Sequence, residues 1–268
     1  MLWTPVTAVL GLMAMVMAAA WAYGLAIKNG GWTDVFWSFG SGLALIIAAL
    51  WPAPDAASAR QWLVAALAVA WAIRLGLYLG PRVAGHPEDA RYAHFRELFG
   101  KSYALGMLGV AMAQAPATAL LAVSVAVAAQ RPLDHLDLRD LAGVLIVVAA
   151  LWGEALADRQ MRRFKADPAN QGRVCDIGLW AWSRHPNYFF EWIGWLAYPA
   201  IGLDPLRPMT WLSLSAPVVM YLLLTRVSGI PPLEEAMLRS RGPAYRAYQA
   251  RVSSFFPRRP KVPVEAEA

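Results

Sequence analysis

The sequence predicts an all-α, polytopic membrane protein of about seven transmembrane helices followed by a C-terminal interfacial helix. Three observations carry this. Hydrophobic residues fill 58% of the 268 positions and charged residues only 16%, with a mean hydropathy of +0.40, where soluble domains hold about 25% charged residues. Apolar runs long enough to span a bilayer, about 17–25 residues, recur along most of the chain and leave no room for a separate soluble core. The runs are continuously apolar, without the alternation of barrel strands, and helices satisfy their own backbone groups in lipid.

The first span, 5–27, has the small residues of a secretory signal but lacks the basic n-region, so it reads as a retained helix. Further spans follow at 32–51, 62–80, 103–129, 140–157, 188–204 and 209–226. Pro116, Pro199 and Pro217 fall inside three of them and should kink or interrupt those helices, since proline removes a backbone donor and clashes with the preceding turn. After the last span, PPLEEAMLRSRGPAYRAYQARVSSFFP mixes charges with Leu, Met, Tyr and Phe at helical spacing. It reads as a helix lying along the inner membrane face, divided at Gly242 and Pro243. One transmembrane domain over 1–258 results, and 259–268, ending in KVPVEAEA, carries no packing signature and is expected to be disordered.

Lys and Arg set the orientation, because cytoplasmic loops hold the excess. With the N-terminus outside, nineteen of the 24 Lys and Arg fall in cytoplasmic segments. Arg60, Arg131, Arg139 and Arg207 fall on the other side, and Arg74 lies inside a span. The N-terminus is therefore expected outside and the C-terminus in the cytoplasm. The net charge of +6 and pI near 9.7 then read as an orientation signal, implying membrane lipids and no nucleic acid as partners. Cys175 is the single cysteine, which excludes an intrachain disulfide. His86, His94, His135 and His185 lack metal-ligand spacing, so no metal site is expected.

A charge in hydrocarbon costs several kcal/mol, from about 2.5 upward, so intramembrane ionisable residues are functional candidates. Asp34, Arg74, Glu154, Asp158, Asn187, Glu191 and Arg226 share the cytoplasmic third of five different spans. Each alone is explained by snorkelling or a helix-end ion pair; together they read as one polar pocket. The adjoining DRQMRRFKADPANQGR is rich in arginine, whose rigid fork suits phosphate, although plain positive-inside charge accounts for it equally. In GLWAWSRHPNYFFEWIGW, Asn187 and Glu191 stand four apart on one helix face, where they can hold an amide or hydroxyl. Trp180, Trp182, Trp192 and Trp195 read as an interfacial belt.

With the RHPNY..E pattern, Asp158 upstream and the AYQARVSSFFP tail, the segment from Glu154 through Pro257 resembles the C-terminal region of the steroid 5α-reductase superfamily, and more closely its bacterial reductase-like branch. GWTDVFWSFG and WAIRLGLYLGPRVAGHPEDARY echo it more loosely. The resemblance implies seven membrane helices in a bacterial inner membrane and NADPH bound at their cytoplasmic side. It implies dinucleotide contacts at Asp158, Arg162, Lys165, Arg173, Asn187, Glu191 and Arg226. Lys165 stands where the family has arginine, keeping the charge but losing bidentate geometry. Tyr245 and Tyr248 match the tail pattern. In the reductases a glutamate on the second span and a tyrosine on the third address the substrate ketone; Asp34 and Trp71 stand at those positions. Both depart from the pattern, so a steroid substrate does not follow.

The implied reaction is NADPH-dependent reduction of a carbon–carbon double bond conjugated to a carbonyl in a lipid-like substrate. A protonated Asp34 is the expected donor to the carbonyl oxygen, assisted by Trp71 or Tyr78, with an Asp34–Arg74 ion pair as the structural alternative. Isoprenylcysteine carboxyl methyltransferases carry a similar Arg-His-Pro motif before a final helical hairpin and use S-adenosylmethionine. The cationic loop exceeds what a phosphate-free methyl donor requires, which favours the reductase. A transporter would need a charged path through the bilayer, and the outer halves of the spans are almost uncharged, with Gln114 the main polar residue at mid-depth.

Overall fold

A computed structural model describes residues 2–88 and 90–261, the side chain of Ala90 excepted. Residues 262–268, most of the tail expected to be disordered, lie outside the described residues. Helices are α1 (Trp3–Ala26), α2 (Trp32–Ala49), α3 (Ser58–Ala84), α4 (Ala90–Phe99), α5 (Tyr103–Met112), α6 (Gln114–Ala129), α7 (Leu138–Ala166), α8 (Pro186–Trp195), α9 (Ala197–Gly202), α10 (Ser215–Leu222), α11 (Ile230–Arg241) and α12 (Pro243–Arg251). Six helical stretches among the described residues are long and apolar enough to cross a membrane: 3–26, 32–49, 58–84, 91–129, 138–166 and 208–241. Large apolar side chains face outward along them, Leu77 at 65% and Trp152 at 69% exposure among them, as lipid-facing positions require.

The span expected at 188–204 is two shorter helices, α8 and α9. Pro199 cannot donate to the carbonyl of Trp195, and Trp195 is where α8 ends. The same arithmetic places the α5–α6 junction: Met112, four before Pro116, closes α5. Pro217 falls in the first turn of α10, where a missing N–H costs nothing. Gly242, at φ +49°, separates α11 from α12 as the sequence predicts.

The chain divides into two compact units, residues 1–145 with 196–219, and residues 146–195 with 220–268. In the first, α2 packs on α3 through small residues that let backbones approach, the usual adhesive between membrane helices. A Cβ on Gly42 would lie 2.4 Å from Ala72 Cβ, and one on Gly76 would enter the Phe39 ring. Polar side chains bridge α2 to α6: Trp37 Nε1 donates to Thr118 Oγ1 at 3.0 Å, and Ser41 Oγ lies 3.1 Å from the same oxygen. The Ala57 N–H donates to the Leu133 carbonyl at 3.2 Å. The α2–α3 turn and the α6–α7 loop therefore share one end of this unit, and the start of α2 lies at the other.

At the former end Arg60 is fully buried. Its guanidinium donates to Asp140 Oδ1 at 2.9 Å and Oδ2 at 3.0 Å, and to the carbonyls of Arg131, Leu133 and His135. Arg131 donates to Asp140 and, at 2.7 Å, to Asp137. Two residues that topology alone assigns to a loop are thus the centre of a buried ion network, because α3 begins at Ser58 and encloses Arg60 in its first turn.

In the second unit α7 and α8 meet where a Cβ on Gly153 would strike the Phe190 ring at 2.4 Å. Tyr245, Tyr248 and Val252 of the C-terminal segment form a small core with Val174, Met237 and Leu238.

Candidate functional site

In the first unit Asp34 lies in the first turn of α2, and both its oxygens accept. Arg91 Nη2 donates to Oδ2 and the Tyr92 hydroxyl to Oδ1, each at 2.9 Å. The Arg91 and Asp34 side chains are 30% and 24% exposed, whereas Tyr92 is buried. The corner is stitched further by the Gly30 N–H donating to Glu88 Oε1 at 2.8 Å, while Arg96 holds Glu88 through Nε and Nη2. Gly30 is required: a Cβ there would sit 2.6 Å from the Tyr92 ring. Both oxygens of Asp34, the donor expected from the sequence, thus accept hydrogen bonds here.

Trp71 is buried against Trp37, edge to face at 5.8 Å. Two turns along α3, Tyr78 is half-buried. Its ring lies below the guanidinium groups of Arg74 at 5.3 Å and Arg82 at 5.0 Å, and its hydroxyl accepts from Arg82 at 2.8 Å.

The second unit holds the remaining candidates. Glu154, Asp158, Arg162 and Lys165 recur every three or four residues on α7, hence on one face. Glu154 and Asp158 are buried, while Arg162 and Lys165 are exposed. Arg173 is exposed in the following loop and Arg226 in the π-helical turn Leu223–Val227. Asn187 and Glu191 lie one turn apart on α8; Glu191 is buried and its Oε1 accepts from Trp195 Nε1 at 3.1 Å.

What sequence reasoning missed is how the Arg-His-Pro segment is fixed. Glu234 of α11 gathers four donors on one carboxylate. Arg184 Nε reaches Oε1 at 2.7 Å and Arg184 Nη2 reaches Oε2 at 3.1 Å. His185 Nε2 lies 3.1 Å from Oε1, and Gln249 Nε2 donates to Oε2 at 2.8 Å. Backbone bonds lock the two segments together: Arg184 N–H to the Ser253 carbonyl at 2.8 Å and Arg258 N–H to the Trp182 carbonyl at 2.9 Å. Ser183 Oγ donates to the Phe255 carbonyl at 2.8 Å and the Tyr248 hydroxyl to the Trp180 carbonyl. Trp180 Nε1 in turn donates to the Ala157 carbonyl at 3.0 Å. Trp180 is thereby a buried structural residue rather than a belt residue. Burial pushes the His185 imidazole below its ordinary range, against the opposite pull of Glu234. The signal available in the sequence was the acidic pair Glu234–Glu235 within the otherwise basic segment 226–261.

The family model described as "Protein of unknown function (DUF1295)" matches residues 20–252. The "Uncharacterized protein C594.04c" of Schizosaccharomyces pombe is similar, 37% identical over 98 residues, which is 36% of this chain and 27% of the yeast protein. The chain thus spans about a quarter of that relative's length. No solved structure matches.

Proposed function

The chain belongs to the DUF1295 family, and we propose that within it the chain is a membrane-embedded, NADPH-dependent reductase of a conjugated carbon–carbon double bond in a lipid-like substrate. The reading places seven crossings in an inner membrane, with the N-terminus outside and the C-terminus cytoplasmic. One observation carries it: a single face of α7 runs from the buried carboxylates Glu154 and Asp158 to the exposed cations Arg162 and Lys165. That donor set fits a dinucleotide, with cations for phosphate and acids for hydroxyl or amide groups.

NADPH, when bound, supplies the hydride that adds to the substrate's β-carbon. Arg162, Lys165, Arg173 and Arg226 would hold its phosphates, and Asp158, Asn187 and Glu191 would hold its hydroxyl and amide groups. Negative charge then builds on the substrate's carbonyl oxygen, and a proton must reach the α-carbon. In the first unit Tyr78 offers a donor of the kind such an oxygen needs. Its hydroxyl accepts a charge-assisted hydrogen bond from Arg82, which polarises the O–H and strengthens it as a donor. Asp34 acts as a positioning residue, orienting Arg91 and Tyr92, and Trp71 supplies an apolar wall.

The test is thermal stabilisation of purified protein by NADPH and by S-adenosylmethionine, measured separately. NADPH should stabilise the protein, and Asn187→Ala and Arg173→Ala should weaken that effect while expression is retained. Stabilisation by S-adenosylmethionine alone would establish the methyltransferase reading instead.

A further inference from the structure

We propose a second binding site, for a phosphoryl group of net negative charge, as on an anionic glycerophospholipid or a free phosphate, at the end of the first unit remote from Asp34. A cavity of about 480 Å³ opens there between the end of α6, the α6–α7 loop and the segment after α9. Three arginines line it, Arg131, Arg139 and Arg207, against two carboxylates, Asp137 and Asp204. The lining therefore keeps a net positive charge.

Two residues of the lining, Gln130 and Arg131, also carry donors with no partner among the described residues. Gln130 Nε2 and Arg131 Nε are both buried without a hydrogen bond, and Arg131 as a whole is only 8% exposed. All three guanidinium groups make contacts that hold them in place. Arg131 is fixed by Asp137 and Asp140, and Arg139 donates to the Leu203 carbonyl. Arg207 leans on Asp204 at 3.5 Å with its side chain 60% exposed at the rim. Guanidinium forks fixed in this way suit phosphate oxygens.

Size and place identify the class. The volume lies within the range of small-molecule sites, roughly 300–1,000 Å³, and exceeds what a bare phosphate ion fills. Val127 and Met209 add apolar wall. The site lies where apolar helices give way to polar loops, the level at which lipid headgroups sit. The inference is independent of the reductase reading and of the residues assigned to it.

The test uses the full chain in neutral detergent, with phosphatidylglycerol, phosphatidylcholine and inorganic phosphate as probes, read by native mass spectrometry and thermal melting. Phosphatidylglycerol should be retained at least about tenfold more tightly than phosphatidylcholine. The R139Q/R207Q double variant should weaken its retention by about tenfold. Asp204→Asn removes a rim carboxylate without deleting a cation, and should tighten binding with the lipid-free melting temperature unchanged. Stabilisation by inorganic phosphate alone, lost in R139Q/R207Q, would assign the site to a soluble phosphate and still support a phosphoryl group. Equal retention of both lipids, no response to any probe, or unchanged binding in both variants would overturn it.

Discussion

Replacing Glu234 with alanine should unlatch the Arg-His-Pro segment from the C-terminal helices without unfolding the rest of the chain. The carboxylate accepts from Arg184 twice, from Gln249 once, and pairs with His185. The Arg184 and Glu234 side chains are 11% and 14% exposed, so solvent can do little to replace the lost partner. Removing one member of a buried charged pair typically costs about 3–5 kcal/mol. The residual exposure and the carbonyls of Gln249 and Val252, which also accept from Arg184, place this case near the lower figure. At 1.4 kcal/mol per decade, about 3 kcal/mol is roughly a 150-fold shift in the local opening equilibrium. Hydrogen exchange reads it directly at the Arg184 and Arg258 amides, which donate across the two segments. Both should exchange about 100-fold faster in Glu234→Ala, with Glu234→Gln intermediate and the amides of α2 unaffected. Exchange at those two positions unchanged in the alanine variant would refute the clamp.

Three further outcomes are expected. His185 is held below its ordinary value by burial. Its neutral form therefore contributes stability that is complete above the unfolded value near 6.5 and is lost as pH falls through the lower folded value. Melting temperature should drop as pH falls below about 6.5, less so in His185→Gln, and identical profiles would exclude His185 as the cause. Asp140→Ala leaves Arg60 and Arg131 facing each other in a buried network, and should destabilise the protein by about 3–5 kcal/mol. Melting within a degree of the parent protein would contradict that. Tyr78→Phe should lower turnover about 100- to 1,000-fold, as for other single oxyanion donors, with NADPH affinity intact; full activity would remove Tyr78 from the chemistry.

The membrane character of the chain was legible because lipid imposes long apolar runs, and the proline positions then set where helices end. Met112 and Trp195 close their helices four residues before Pro116 and Pro199, as backbone chemistry demands. The division of 188–204 was legible in the same way, because Pro199 inside that apolar run removes the donor to Trp195. Site residues on one helix were readable through spacing, as at Glu154, Asp158, Arg162 and Lys165. Pairings across the chain were not. Asp34 meets Arg91 and Tyr92, 57 and 58 residues away, and Arg60 meets Asp140, 80 residues away. Nothing local to either position encodes its partner. Arg60, counted by topology as a loop charge, shows the limit plainly: charge sorting gives the side of the bilayer on which an arginine begins, and packing decides whether it meets water.

Because the carbonyls that receive Ser183 and Arg184 come from residues 249–255, the Arg-His-Pro strand cannot settle while the ribosome is still adding them. A nascent chain stalled before residue 249 would carry every membrane-spanning stretch and yet leave this strand loose. Assembly of the second unit thus waits for residues 249–255.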